Sequence, residues 1–149
     1  MKRRTLLAGT AALATVPIAA RPAEKTKIIW WHAMTAALGD QVNHQVEAFN
    51  QSQDAIEVQA IYKGGYADVL TATIAAFRAG QAPHLVQIFE VGTGSMLAAG
   101  KATKQVWELA QETGAQIDPQ MYIPAVRGYY SLADGRMASM PFNSSTAVM

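Results

Sequence analysis

No cysteine occurs among the 149 residues, so the chain has neither a disulfide framework nor thiolate metal ligands. That absence is compatible with an oxidising compartment. Histidine is also scarce: His32, His44 and His84 are scattered, and none lies three or four residues from another, which removes the usual helical spacing of a zinc site. Neither Gly-x-Ser-x-Gly nor the Gly-x-x-x-x-Gly-Lys-Ser/Thr pattern is present, which excludes a hydrolase nucleophile elbow and a P-loop. Gly92-Thr93-Gly94 lacks the third glycine of a dinucleotide fingerprint. Charged residues make up only 15%, and no basic stripe interleaves with aromatics, so nucleic acid is not an expected partner. Neither a metal nor a cofactor is expected.

The longest uncharged run near the start, Thr5 to Ala20, follows Lys2-Arg3-Arg4 and closes on Ala19-Ala20. It is too short for a stable transmembrane helix and reads as a secretory signal over residues 1–20, with Ala23 an alternative cleavage point. Arg3-Arg4-Thr5-Leu6-Leu7 also fits a twin-arginine signal, so the export route stays open. The formal charge of +1 misleads, because the signal carries three of the twelve basic residues and none of the eleven acids. Past Ala20 there remain nine basic against eleven acidic side chains, a net charge of −2. With 50% hydrophobic residues, the rest has the composition of one globular α/β domain.

Thr26 to Trp31 is a strand by its β-branched and aromatic content, with His32 to Thr35 as its exit loop. Gly39 to Gln51 is helical, Leu38, Val42, Val46 and Phe49 marking the apolar face. Ala55 to Ile61 alternates with period two and predicts a second strand, followed by the loop Lys63-Gly64-Gly65-Tyr66. A second helix is predicted over Ala67 to Ala79 with Leu70, Ile74 and Phe77 inward, stopped by Gly80 and Pro83. Leu85 to Phe89 reads as a third strand, buried on both faces. Further on, Thr103 to Thr113 predicts a helix with Val106 and Leu109 inward and Gly114 as its cap. Asp118-Pro119 is a helix start, and Asp134-Gly135 a hairpin turn. The order β-α-β-α-β argues for an open, mainly parallel sheet with right-handed crossovers.

In such a sheet His32–Met34, Gly64–Tyr66 and Glu90–Gly94 fall on one edge, at the carboxyl ends of the three strands. Glu90 is the only charged residue between Ala79 and Gly100. It either marks the strand's exit into water or projects into the crevice where open α/β sheets bind ligands. The convergence of three loops favours the second reading. An enzyme built on Glu90 with Asp40 or Glu47 is the alternative, although those two acids lie in a helical pattern where surface acids are ordinary.

Several motifs in order, Trp31-His32-Ala33-Met34, Tyr62-Lys63-Gly64-Gly65-Tyr66, Ala75 to Pro83, Gln87-Ile88-Phe89-Glu90-Val91-Gly92-Thr93, Gly128-Tyr129-Tyr130 and Pro141-Phe142-Asn143-Ser144-Ser145-Thr146, resemble the periplasmic sn-glycerol-3-phosphate-binding proteins of ABC importers. The likeness extends from Ile28 to Met149. It implies a periplasmic-binding-protein-like type II fold of two lobes. Residues 21–149 would then form the beginning of the first lobe, and the chain reads as a fragment that stops near the first hinge crossing. It also implies a periplasmic, non-enzymatic, monomeric receptor for sn-glycerol 3-phosphate. Glycerophosphodiesters are a further candidate ligand, and the ABC permease and its ATPase the partners. A sugar receptor on the same fold is the alternative.

By the same resemblance Tyr66, Glu90 and Ser145 are ligand contacts. Their chemistry agrees: a carboxylate accepts from two neighbouring glycerol hydroxyls, a phenol covers the C–H face, and a serine hydroxyl donates to phosphate. Tyr66 as a first-turn helix residue and Ser145 as a surface hydroxyl are the plain alternatives. A carboxylate about 6 Å from a phosphate, at an effective dielectric near 20, is repelled by roughly 3 kcal/mol per unit charge. Glu90 therefore belongs at the glycerol end, with a cation at the other. Lys63 is the nearby candidate in this sequence, while the resemblance implies a phosphate-binding arginine in the second lobe.

Overall fold

The computed structural model describes residues 24–143. The expected signal segment and Ser145 lie outside the described residues. The elements run β1 (Thr26–His32), α1 (Ala36–Ser52), β2 (Ile56–Tyr62), α2 (Tyr66–Arg78), β3 (Leu85–Val86), α3 (Glu90–Ala98), α4 (Val106–Thr113) and α5 (Pro124–Tyr130), with 3-10 turns at Gly100–Ala102 and Pro119–Met121. The three strands form one sheet in the order β2-β1-β3. Both pairings are parallel, with Thr26 opposite Ile56, His32 opposite Tyr62, and Trp30 and Trp31 opposite Leu85 and Val86. The mixed α/β, open parallel architecture is the one expected from the alternation of strand and helix patterns.

The core sits where β1 ends. Ala33 and Met34 from the exit of β1, Val42 from α1 and Val69 from α2 are buried together, with Trp30, Val46, Ala60 and Val86 packed against them. Val42 and Val69 are fully enclosed, and each such burial is worth roughly 1.5–3 kcal/mol. The inward face of α2 differs from the expected stripe: Val69 and Thr73 are buried, whereas Ile74 and Phe77 are exposed. Thr73 tolerates this position because its hydroxyl donates to the Val69 carbonyl at 2.7 Å, so no polar group goes unpaired. On α1, too, Leu38 and Phe49 of the expected face are exposed, and only Val42 is fully buried. Val46 packs against the core. In α4 Val106 is half-buried while Leu109 is exposed.

Among the described residues β2 is at the edge of the sheet, and two side chains occupy its outer hydrogen-bonding groups. Asn50 donates to the Val58 carbonyl at 2.9 Å and accepts from the Val58 amide at 2.8 Å. Gln53 does the same at Ile56, accepting from its amide and donating to its carbonyl, both at 2.7 Å. Amide side chains have one donor and one acceptor arm, which matches the pair a strand residue presents on one side.

The third strand is shorter than its apolar run predicts. Only Leu85 and Val86 are strand, and Leu85 is exposed. β1 ends at His32, so the chain beyond Gln87 has no further backbone to pair with. Glu90 to Gly94 then belong to α3 rather than to a turn. Gly92 is needed there for its size: a Cβ would lie 2.8 Å from the Ile88 Cγ2 and 3.3 Å from the Leu70 Cδ2.

A second, smaller cluster forms around Met137. The turn expected at Asp134-Gly135 closes with the Gly135 amide donating to Leu132 at 2.9 Å, and Ser131 bridges to Met137 antiparallel. The hairpin's Met137 and Ala138 carbonyls accept from the Trp107 and Val106 amides, which gives partners to donors that the first turn of α4 leaves free. Arg136 lies over the Trp107 ring, 3.9 Å from its centroid. Gly114 caps α4 in the left-handed conformation, and the Asp118 carboxylate accepts from the Gln120 amide, both as the sequence predicts. Pro124 takes the first position of α5, where its missing N–H costs nothing.

Candidate functional site at the carboxyl edge of the sheet

Tyr66 and Glu90 both sit at the carboxyl edge, each at the start of the helix that follows its strand. For Tyr66 the cause lies in the preceding glycines. Gly64 has φ +96°, and a Cβ there would come within 2.6 Å of Asp68 Oδ2. Only glycine lets Asp68 reach back to accept from the Gly65 amide at 2.8 Å, which starts α2 at Tyr66. Tyr66 is therefore a first-turn residue of a helix and not part of a free loop, and its ring is exposed. It stacks on Phe89, the rings 5.6 Å apart and inclined by 14°.

Phe89 is the residue that precedes α3, and Glu90 is the first residue of that helix. The exposed carboxylate thus stands at the positive end of α3, beside the Tyr66–Phe89 stack. Two side chains that the residue-by-residue reading did not select complete the edge. Tyr129 places its hydroxyl 3.4 Å from the Thr93 hydroxyl of α3, and Tyr130 packs edge-on against Tyr129 with centroids 5.1 Å apart. Burial, with Tyr129, Glu90 and Tyr66 nearby, pushes the Tyr130 phenol above its ordinary ionisation range. The doubled tyrosine after Gly128 was the available signal, but nothing in its spacing assigned it to this edge.

Lys63 and His32, at the same edge, are engaged within the fold. Lys63 lies over the Trp31 ring, its Nζ 4.2 Å from the centroid. The buried His32 accepts from the Met34 amide through Nδ1 at 3.2 Å, and burial holds its pKa down. His84 accepts from the Ile29 amide at 3.0 Å. Asp40 and Glu47 are exposed on α1, where Glu47 accepts from Gln51. Two shallow, open grooves lie elsewhere, one of about 450 Å³ between α1 and β2 and another of about 340 Å³ around Lys101 and Lys104. The tyrosine edge is one open wall, aromatic rings with the Glu90 carboxylate among them, suited to a small polyol laid against it.

Over most of its length the chain matches proteins named sn-glycerol-3-phosphate-binding periplasmic protein UgpB. It is 40% identical to that of Brucella abortus (strain 2308) over 125 residues, which is 84% of this chain and 29% of the relative. Identity is 40% over 124 residues with the Rhizobium meliloti (strain 1021) protein, covering 83% and 29%. With the Yersinia pestis bv. Antiqua (strain Antiqua) protein it is 41% over 136 residues, covering 91% and 31%. The chain is homologous to these periplasmic binding proteins. It spans about 30% of the length of the curated relatives it matches. No family model matches it. All three relatives are named as binding proteins, not as enzymes.

Proposed function

We propose that this chain contributes one wall of the ligand site of a periplasmic receptor that captures sn-glycerol 3-phosphate and delivers it to an ABC permease and its ATPase. The observation that carries the reading is the placement on one edge of Tyr66, stacked on Phe89, and of Glu90, which follows Phe89 as the first residue of α3, in a chain 40–41% identical to proteins named for that ligand. Glu90 accepts from the glycerol hydroxyls, the Tyr66 ring covers the carbon chain, and Ser145 donates to the phosphate. The phosphate points away from Glu90, toward a cation outside residues 24–143. Residues 1–20, or 1–23, direct export and are removed, and the described residues belong to the first of two lobes that close over the ligand as a monomer. Glycerophosphodiesters bind in the same orientation, their second alcohol leaving the cleft on the phosphate side. The receptor turns nothing over.

Calorimetry on a protein of the relatives' full length that carries these residues tests the proposal. Saturable binding of sn-glycerol 3-phosphate, with the ligand recovered unchanged, is expected. Binding of maltose-type sugars without glycerol phosphate would instead assign the Tyr66–Phe89 platform to a pyranose face and sink the reading.

A further inference from the structure

Gln87 is the one polar residue inside the apolar run before Glu90, and it is buried. Its backbone amide still donates to the Trp31 carbonyl at 2.8 Å, so the main chain is satisfied and the side chain is free for other work. One arm, Oε1, accepts from the Ala33 amide at 3.0 Å. That N–H lies one residue past the end of β1 and, being buried, requires a partner. The other arm, Nε2, donates to the Asn143 Oδ1 at 3.3 Å.

Asn143 is exposed, yet three elements hold it. Besides Gln87, its Nδ2 donates to the Met34 Sδ at 3.2 Å, and its backbone carbonyl accepts from the Tyr130 hydroxyl at 3.3 Å. Phe142 beside it meets the Trp30 ring edge-on at 5.2 Å. Segment 141–143 is thus fastened to the exits of β1 and β3 and to the end of α5, the elements that present the tyrosine edge. Ser145 follows two residues later in the sequence.

We propose that Gln87 and Asn143 are a positioning pair: their amide-to-amide bond sets segment 141–143 and, through the Asn143 carbonyl that holds the Tyr130 hydroxyl, keeps the tyrosine edge in register with the exits of β1 and β3. This rests on the proposed function. Gln87 itself touches no ligand and acts through Asn143. Glutamine suits the position because one buried side chain must accept at one end and donate at the other, which neither an apolar residue nor a carboxylate does.

The test is a double-mutant cycle in the full-length protein, with sn-glycerol 3-phosphate as the probe. Asn143→Ala is expected to weaken binding about fivefold with little change in melting temperature, as for loss of one net hydrogen bond. Gln87→Met is expected to weaken binding by a similar factor and also to lower the melting temperature, because the Ala33 amide loses its acceptor. The double variant should bind no more weakly than Asn143→Ala alone. Multiplicative losses, about twenty-five-fold together, would overturn the pairing, as would a Gln87→Met protein of lowered melting temperature and unchanged Kd. Side-chain amide NMR supplies an arm independent of ligand: in Gln87→Met the Asn143 Oδ1 loses its donor, so the Asn143 side-chain NH2 resonances should shift, and unchanged resonances there overturn the brace. A wild-type protein that fails to bind the phosphate refutes the proposed function, and the resonance arm then decides the brace by itself.

Discussion

Replacing Glu90 by glutamine separates the two roles its position allows. As the first residue of α3 the carboxylate faces the positive end of a helix, and removing an exposed charge there costs about 0.3–1 kcal/mol of folding stability. In a protein of more than 150 residues that lowers the melting temperature by at most about 4 °C. The amide keeps the shape of the side chain but is a weaker, uncharged acceptor for glycerol hydroxyls. Loss of a charge-assisted acceptor costs roughly 1.5–3 kcal/mol, between about tenfold and a hundredfold in Kd. Because Glu90 is exposed and has no hydrogen-bonding partner among the described residues, the variant leaves no buried group stranded. The two effects are therefore read independently. Titration calorimetry and thermal melts on the same full-length preparations measure both. An unchanged affinity with a lower melting temperature would make Glu90 a helix-start residue only and refute the assignment.

Three further substitutions probe how the edge is held. Asn50→Ala strips Val58 of both outer partners and is expected to lower stability by roughly 1–2 kcal/mol and to promote self-association through β2; an unchanged denaturation midpoint and unchanged light scattering would show the cap to be idle. Gly92→Ala drives a methyl to 2.8 Å from Ile88, costing roughly 1–3 kcal/mol, and because α3 must shift, ligand affinity should fall with it. A Gly92→Ala protein with wild-type Kd would mean that α3 does not place Glu90. For His32, burial lowers the folded pKa, so the unfolded chain binds the extra proton first and stability rises with pH. Stability is expected to be level above the unfolded value of about 6.5, to decline as pH falls from there to the depressed folded value, and to lose that decline in His32→Phe. Urea midpoints measured from pH 5 to 7.5 test this, and an identical pH profile for the two proteins would contradict it.

The order of elements was legible because each is signalled locally. β-branched and aromatic runs mark β1 and β2, glycines mark the ends of α2 and α4, and Asp118-Pro119 marks a 3-10 start. Faces were less legible. Leu70, Ile74 and Phe77 make a convincing apolar stripe, but the surface α2 meets at β1 takes the smaller Val69 and Thr73, and only the back-bonded hydroxyl of Thr73 makes that acceptable. The run from Leu85 to Phe89 has strand composition throughout, yet its length as a strand was decided by where its neighbour β1 stops, which no local pattern contains. The placement of Tyr66 and Glu90 on one edge followed from parallel topology alone. Tyr129, Tyr130 and Asn143 did not, because they reach the edge through contacts 13 to 109 residues apart in sequence.

The central claim is that the carboxyl edge of this sheet receives the glycerol end of a phosphorylated polyol. A crystal structure of the full-length protein with sn-glycerol 3-phosphate tests it most directly. The account predicts glycerol oxygens within about 3.2 Å of the Glu90 carboxylate, the Tyr66 ring against the ligand carbons, and the phosphorus on the far side from Glu90. A ligand whose phosphate lies on the Glu90 side, or one bound without touching Tyr66 and Glu90, would contradict it.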